Sequence, residues 1–249
     1  MRFWGTILML LLLISRVPAQ RQEAQEDSLP DCLRFEESSP FGCFLTYLPP
    51  FLFQYEFGMK SFIRSRHFST LRKKFGDRRA IDIIFVRAMN LTHNNTAISL
   101  LLSSVACFEH RTVGLKVPVF NLFFPLTNES EDEFDRRVAN LPTRIFADSP
   151  PDSSGDRDKL QHFFGSAFLS FIFESRASAD RIGEFIEEGE EAFIVGGVND
   201  DRDKRANRDG QRFGSALLDD NHLYPSTYLH KSLKRVGMMF DNSYCIGVW

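Results

Sequence analysis

The chain has 249 residues, 43% of them hydrophobic and 25% charged, with a formal net charge of −3. Cleavage after residue 19 would remove Arg2 and Arg16 and no acid, leaving 28 basic against 33 acidic side chains, a formal charge of −5. That balance argues against nucleic acid or an anionic membrane as the main partner, while the roughly 230 remaining residues suffice for one large domain, or one domain with an N-terminal elaboration.

Residues 1–19, MRFWGTILMLLLLISRVPA, have the order of a secretory signal: Arg2, an apolar run from Phe3 to Ile14, then small residues at Val17-Pro18-Ala19. The run is too short to cross a bilayer, which takes roughly 20 apolar residues. Export to the periplasm or the extracellular space is therefore expected, with no transmembrane span in the mature chain. Export also permits disulfides. Of the 4 cysteines, Cys32 and Cys43 flank a loop with Pro and Gly and form the favoured pair. No CxxC is present, which argues against a thiolate zinc site.

Residues 20–40 read as a loose polar lead-in. Residues 41–62, FGCFLTYLPPFLFQYEFGMKSF, are apolar but broken by Pro49-Pro50 and Gly58. They cannot form one continuous membrane helix, so they pack over the domain or lie on an apolar surface. With 26 phenylalanines in the chain, either a Phe-rich core or a partly exposed aromatic surface is expected. Ile81, Ile84, Phe85 and Ala88 repeat at helical spacing after Asp77, the expected cap. A further helix starts at Asn95 or Thr96, with Ile98, Leu101, Leu102, Val105 and Phe108 as its apolar face. Residues 112–126 have strand composition interrupted by Pro118 and Pro125, which suits an edge hairpin or buried loop. Ser130 and Glu133 form a capping-box pattern for a short helix ending before Pro142. Asn90, Asn94 and Asn128 begin Asn-x-Ser/Thr sequons, glycan acceptors if the host is eukaryotic.

Residues 147–156, ADSPPDSSGD, look like a linker between a helical part over 41–146 and a C-terminal helical unit with its tail over 156–249. Three helices are expected in that unit, near 156–176, 178–195 and 201–218, followed by an irregular tail. The fold class is mainly α: a bundle-like helical domain with a short extended segment and irregular termini.

Two stretches of the C-terminal unit carry the candidate chemistry. On a helix, Asp158, His162, Ser166, Ser170 and Glu174 share one stripe, with Lys159 beside it. The rest of that helix is so apolar that it should be buried, and its polar stripe must then find partners. In the second stretch Asp203, Ala206, Asn207, Gly210, Phe213, Gly214 and Leu217 share a face, where Ala206, Gly210 and Gly214 admit close approach of another helix. If the two faces meet, Asp203 and Asn207 reach Asp158 and His162, and Glu187, Glu190 or Glu191 could complete the cluster. The set suits a hydrogen-bond network fixing helix register. It equally suits a metal site on Asp158, His162 and Asp203, or a catalytic centre. A calcium loop is excluded by Lys204 and Gly210, which stand where its glycine and bidentate glutamate must sit. GxSxG, GxGxxG and HExxH are all missing from the chain.

The pattern D-K-x-x-H at 158–162, an acidic helix, then D-x3-N-x2-G-x3-G at 203–214 resembles that of VanZ-like proteins and related small bacterial envelope proteins, over residues 156–218. VanZ-like proteins are small multi-spanning membrane proteins associated with glycopeptide-antibiotic tolerance. The glutamine that follows the family's glutamate is not apparent here, Glu190 or Glu191 standing near that place, and residues 160–173 are too short to span a bilayer. The resemblance implies paired helices with facing polar groups and carries over no activity. Together these readings point to an exported envelope protein with a structural or binding role, at a membrane surface or an envelope protein partner and without a cofactor. The alternative is a hydrolase of an envelope substrate using a divalent metal.

Overall fold

The computed structural model describes residues 30–37, 39–116, 121–125, 127–150, 155–174 and 201–229. The expected signal segment, the helix near 178–195 with its three glutamates and the tail from residue 230 lie outside these residues. The chain divides into two units, Met1–Arg34 and Phe35–Trp249. The first contributes one described 3-10 turn, Asp31–Leu33, closed by Leu33 N–H donating to Pro30 O at 2.8 Å.

The second unit is mainly helical. Its described helices are α1 (Pro40–Leu45), α2 (Pro49–Arg64), α3 (Arg66–Phe75), α4 (Asp77–Leu91), α5 (Thr96–Ala106), α6 (Glu131–Asn140), α7 (Arg157–Ile172) and α8 (Asp201–Ala216). Strands β1 (Thr112–Lys116) and β2 (Asn121–Pro125) pair antiparallel, with Gly114 opposite Phe123, so of the hairpin or buried loop expected there the structure shows the hairpin. No described helix is long and apolar enough to cross a membrane.

Local chemistry accounts for most of the helix ends. Ser39, Ser65, Asn95 and Ser130 each cap a helix by accepting from a backbone N–H, and Ser130 with Glu133 completes the capping box. Ser65 ends α2 and caps α3, so the corner between them is a single residue. The prolines at 49 and 50 start α2 instead of breaking it, because a proline in the first turn has no N–H to leave unsatisfied. Gly58 stays within that helix. The expected cap at Asp77 is displaced by one position: Gly76, at φ 83°, is the N-cap and Asp77 the first helical residue. The Asp77 carboxylate instead binds Arg72 Nε at 2.6 Å and the backbone N–H groups of Thr143 and Arg144 at 2.8 Å each. Burial works to raise the Asp77 pKa, but Arg72 and these two amides outweigh it and hold the group below its ordinary value.

α4 is the axis of the core, with Ile81, Ile83, Ile84, Phe85, Val86 and Met89 all buried. Its one buried acid, Asp82, accepts from Ser226 N–H at 2.8 Å and Ser226 Oγ at 2.7 Å, which pins the turn Pro225–Thr227 to the helix. The region after His222, expected to be irregular, is thus anchored at this point. Phe85 continues into an aromatic cluster with Phe163, Phe164 and Phe213, at centroid separations of 5.1–6.4 Å.

α5 departs from its expected face: Ile98 and Leu102 are buried, Leu101, Val105 and Phe108 only half-buried, and Ser99, Ser103 and Ser104 are buried instead. The helix is packed on several sides, against α2, α4 and α7. Ser99 is tolerated inside because its hydroxyl donates to Asn95 O at 2.7 Å and meets Thr92 Oγ1 at 2.6 Å.

Cys107 closes α5 as a fully buried thiol whose pKa burial pushes up to about 12, against the opposing charge of Arg137. Cys43, half-buried in α1, is an unbridged thiol, and Cys32 belongs to the first unit.

Candidate functional site

α7 and α8 pack more intimately than any other described pair, and the small residues show why. A Cβ on Gly210 would overlap the carbonyl oxygen of Phe163, and a Cβ on Gly214 that of Ala167. Ala206 is fully buried on the same face, together with Phe213 and Leu217. Backbone therefore meets backbone, and the polar stripe of α7 reaches α8 directly. Ser166 Oγ donates to Asn207 Oδ1 at 2.8 Å, and Ser170 Oγ donates to Gln211 O at 3.0 Å while meeting Ser215 Oγ at 2.8 Å. Hydrogen bonds of this kind are each worth roughly 0.5–1.5 kcal/mol net, and these also fix the register of the two helices. Glu174, expected at the end of the stripe, lies beyond the helix and is exposed.

At the N-terminal end of the pair the centre of the cluster is Lys159. Its side chain is 4% exposed, and its ammonium lies 2.5 Å from Asp158 Oδ2 and 2.6 Å from Asp203 Oδ1. His162 Nε2 is 3.5 Å from the same Asp203 oxygen. The structure thus brings Asp158, Lys159, His162 and Asp203 together, and places Asn207 further along the interface as the partner of Ser166. Glu187, Glu190 and Glu191 lie outside the described residues.

A metal on Asp158, His162 and Asp203 does not fit this arrangement, because the lysine ammonium stands between the carboxylates. Among the described residues no group of three or more His, Cys, Asp and Glu side chains could hold a metal ion. What the arrangement can do is neutralise two carboxylates brought together by helix packing, and turn one edge of His162 toward a negative charge.

Three groups at or near this end carried no sequence signal. Glu109, following α5, has its pKa raised by burial and by the charge of Asp158, with His110, Arg157 and Lys159 acting the other way. Asp156, expected in a linker, is fully buried: it accepts from the N–H groups of Ile145 and Phe146 at 3.3 Å each, and pairs with Ser149 and Arg202. Arg205 then clamps Asp148 through two bonds of 2.9 Å. The described ends of the expected linker are therefore tied to α8. Away from α7 and α8, Arg137 is wholly buried, bonded to Glu129 at 2.8–3.0 Å and to the carbonyls of Ala106 and Phe108 at 2.9 and 2.8 Å. Spacing could not have indicated any of these, since each partner is supplied by another element.

The second feature is a surface. Six of the nine exposed large hydrophobic side chains among the described residues, Phe41, Phe44, Tyr47, Leu48, Phe53 and Phe57, fall in α1, α2 and the turn between them, with Phe41 71% and Phe53 67% exposed; the other three, Ile172, Phe173 and Leu218, lie at or just past the ends of α7 and α8. Both alternatives posed by the phenylalanine content therefore occur, the core at α4, α7 and α8 and the surface at α1 and α2. Searches against known protein families, curated proteins and solved structures return no match for this chain.

Proposed function

We propose that this chain is an exported envelope protein with a binding role, and that residues 41–57 are its docking surface. The observation that carries the reading is the concentration of exposed aromatic side chains on two consecutive helices. Soluble monomers rarely leave contiguous apolar patches larger than a few hundred Å² open to water. Export to the periplasm or extracellular space draws on the order of regions in residues 1–19, and an envelope setting on the resemblance of residues 156–218 to VanZ-like proteins. In this reading the Lys159 cluster is structural: it locks α7 and α8 against each other.

The test is fractionation of cells producing the full chain, alongside Phe41→Ser/Phe44→Ser/Phe53→Ser/Phe57→Ser. The wild type is expected in the envelope fraction and the variant in the soluble one, with an unchanged Tm. Retention of the variant in the envelope overturns the docking role of this surface. A fall in Tm of many degrees would show that these side chains belong to the core.

A further inference from the structure

The chemistry of the surface around α1 and α2 specifies its partner. Residues 38–55 contain no charged side chain at all, whereas residues 56–75 carry six Lys or Arg and one acid, Glu56, in a chain that is acidic overall. The molecule uses three of those cations internally: Lys60 lies 2.6 Å from Glu56, Arg64 3.1 Å from Glu133, and Arg72 2.6 Å from Asp77. The other three, Arg66, Lys73 and Lys74 on α3, are exposed and form no ion pair among the described residues.

The aromatic surface and the cationic helix adjoin. α2 runs into α3 through Ser65 alone, Phe62 packs edge-on to Phe68 at 5.3 Å, and the Arg64 guanidinium lies 5.3 Å over the Phe57 ring. Arg64 in turn pairs with Glu133 of α6 and with Glu129 just before it.

A protein partner would need hydrogen bonds as well as apolar contact, at about one per 100–200 Å² of interface. Among the exposed residues from 40 to 57, Tyr47 and Gln54 are the only ones with a hydrogen-bonding side chain. The rest are Phe, Leu and Pro, which offer nothing but apolar area. Such a face beside exposed cations is the composition of a segment lying in the interfacial zone of a bilayer, aromatic groups at headgroup depth and Lys or Arg on anionic headgroups.

We infer that the partner of this surface is a lipid bilayer bearing anionic headgroups, with α1 and the first half of α2 inserted and Arg66, Lys73 and Lys74 held against the phosphates. This rests on residues 41–57 being a docking surface. The acidic balance of the whole chain argues against an anionic membrane only on average; the sign of the charge next to the lipid governs attachment, and surface charges beyond about 8–10 Å are screened at physiological salt.

Flotation of the purified full chain tests the inference, using phosphatidylcholine vesicles and mixed phosphatidylcholine–phosphatidylglycerol vesicles at low and high salt. Attachment is expected to the mixed vesicles, and to weaken as salt rises. Lys73→Glu/Lys74→Glu should lower the partition coefficient by about tenfold or more, and Phe53→Ser/Phe57→Ser should abolish attachment. All four side chains are exposed or half in water, so an unchanged Tm certifies the fold of both variants. Equal, salt-insensitive binding to both vesicle types overturns the anionic requirement while leaving the docking surface in place. If the protein floats with neither vesicle but self-associates in sedimentation, and Phe53→Ser/Phe57→Ser abolishes the association, the partner is a second copy and the lipid inference fails alone. Neither flotation nor association removes both readings.

Discussion

Helices α7 and α8 bury a lysine, two aspartates, an asparagine, a glutamine and serines, while α1, α2 and the turn between them leave five aromatic side chains in water. The two pairs distribute residue types in opposite senses, and the contrast separates two kinds of constraint. Inside, Lys159, His162, Ser166 and Ser170 of α7 meet Asp203, Asn207 and the Gln211 carbonyl of α8 at 2.6–3.5 Å across a helix contact that glycine makes possible. Outside, aromatic groups have no partner within the described molecule. The first arrangement is explained by folding alone; the second is not explained by packing among the described residues.

The sharpest test of the contrast is to truncate one phenylalanine on each side. Phe163 is fully buried against Phe164 and Phe213, so Phe163→Ala should cost about 3–5 kcal/mol. Phe53→Ala should stay within about 0.5 kcal/mol of wild type in urea denaturation, as exposed substitutions do. A similar loss at Phe53 would mean that α2 is core, and the contrast would collapse.

A second test addresses the Lys159 cluster. Asp203→Ala removes one of the two carboxylates that lie within 2.6 Å of the buried Lys159 ammonium, and should cost about 3 kcal/mol, at the lower end of the range for breaking a buried pair. Lys159→Met should also destabilise. The double variant should cost clearly less than the sum of the two, because one stranded charge accounts for most of the loss. Additivity within about 0.5 kcal/mol would show that the charges do not interact.

Next in size is the close approach of the backbones. Gly210→Leu must displace the Phe163 carbonyl, which belongs to a helix and cannot swing aside, and should cost about 1–3 kcal/mol or more. Arg208→Leu, on the exposed face one half-turn away, should change the Tm by little. Equal melting temperatures would place the α8 interface elsewhere.

The smallest effect expected is a pH dependence of how α2 is held to the body. Arg64 of α2 contacts Glu129 at 3.5 Å, and Glu129 is bonded to Arg137. Burial tends to raise the Glu129 pKa, but the Arg137 hydrogen bond and charge hold it below its ordinary value of 4.5. A carboxylate with a lowered folded-state pKa stabilises above its unfolded pKa, and that contribution fades as pH falls below about 4.5 toward the folded value. Protection factors of the α2 amides, after correction for the intrinsic exchange rate at each pH, should accordingly fall in acid, and Glu129→Gln should remove that part of the dependence.

Those elements whose cause is local were legible in the sequence. The Ser130–Glu133 box, the Asn95 cap and the spacing of Asp203, Ala206, Asn207, Gly210 and Gly214 each determine geometry within a turn or two, and the facing polar stripes followed from the same periodicity. What was not legible depends on distant partners. Asp156 resembles a loop aspartate until Arg202 reaches it, and Asp82 looks misplaced in an apolar helix until Ser226 donates to it. The role of Lys159 was hidden in a subtler way. The helical period placed it beside the polar stripe, and the length and flexibility of its side chain brought the ammonium between the acids and into the place a metal would occupy.

Cys107 turns the interior into a clock. With its pKa near 12, only about one thiol in ten thousand is ionised at pH 8 even if a reagent could enter, and the fully buried sulfur admits none. A protein in which the other three cysteines are serine would therefore react with a thiol reagent only when the end of α5 opens. At saturating reagent the labelling rate becomes the opening rate itself, which gives a direct reading of how often the core comes apart near Arg137 without any denaturant.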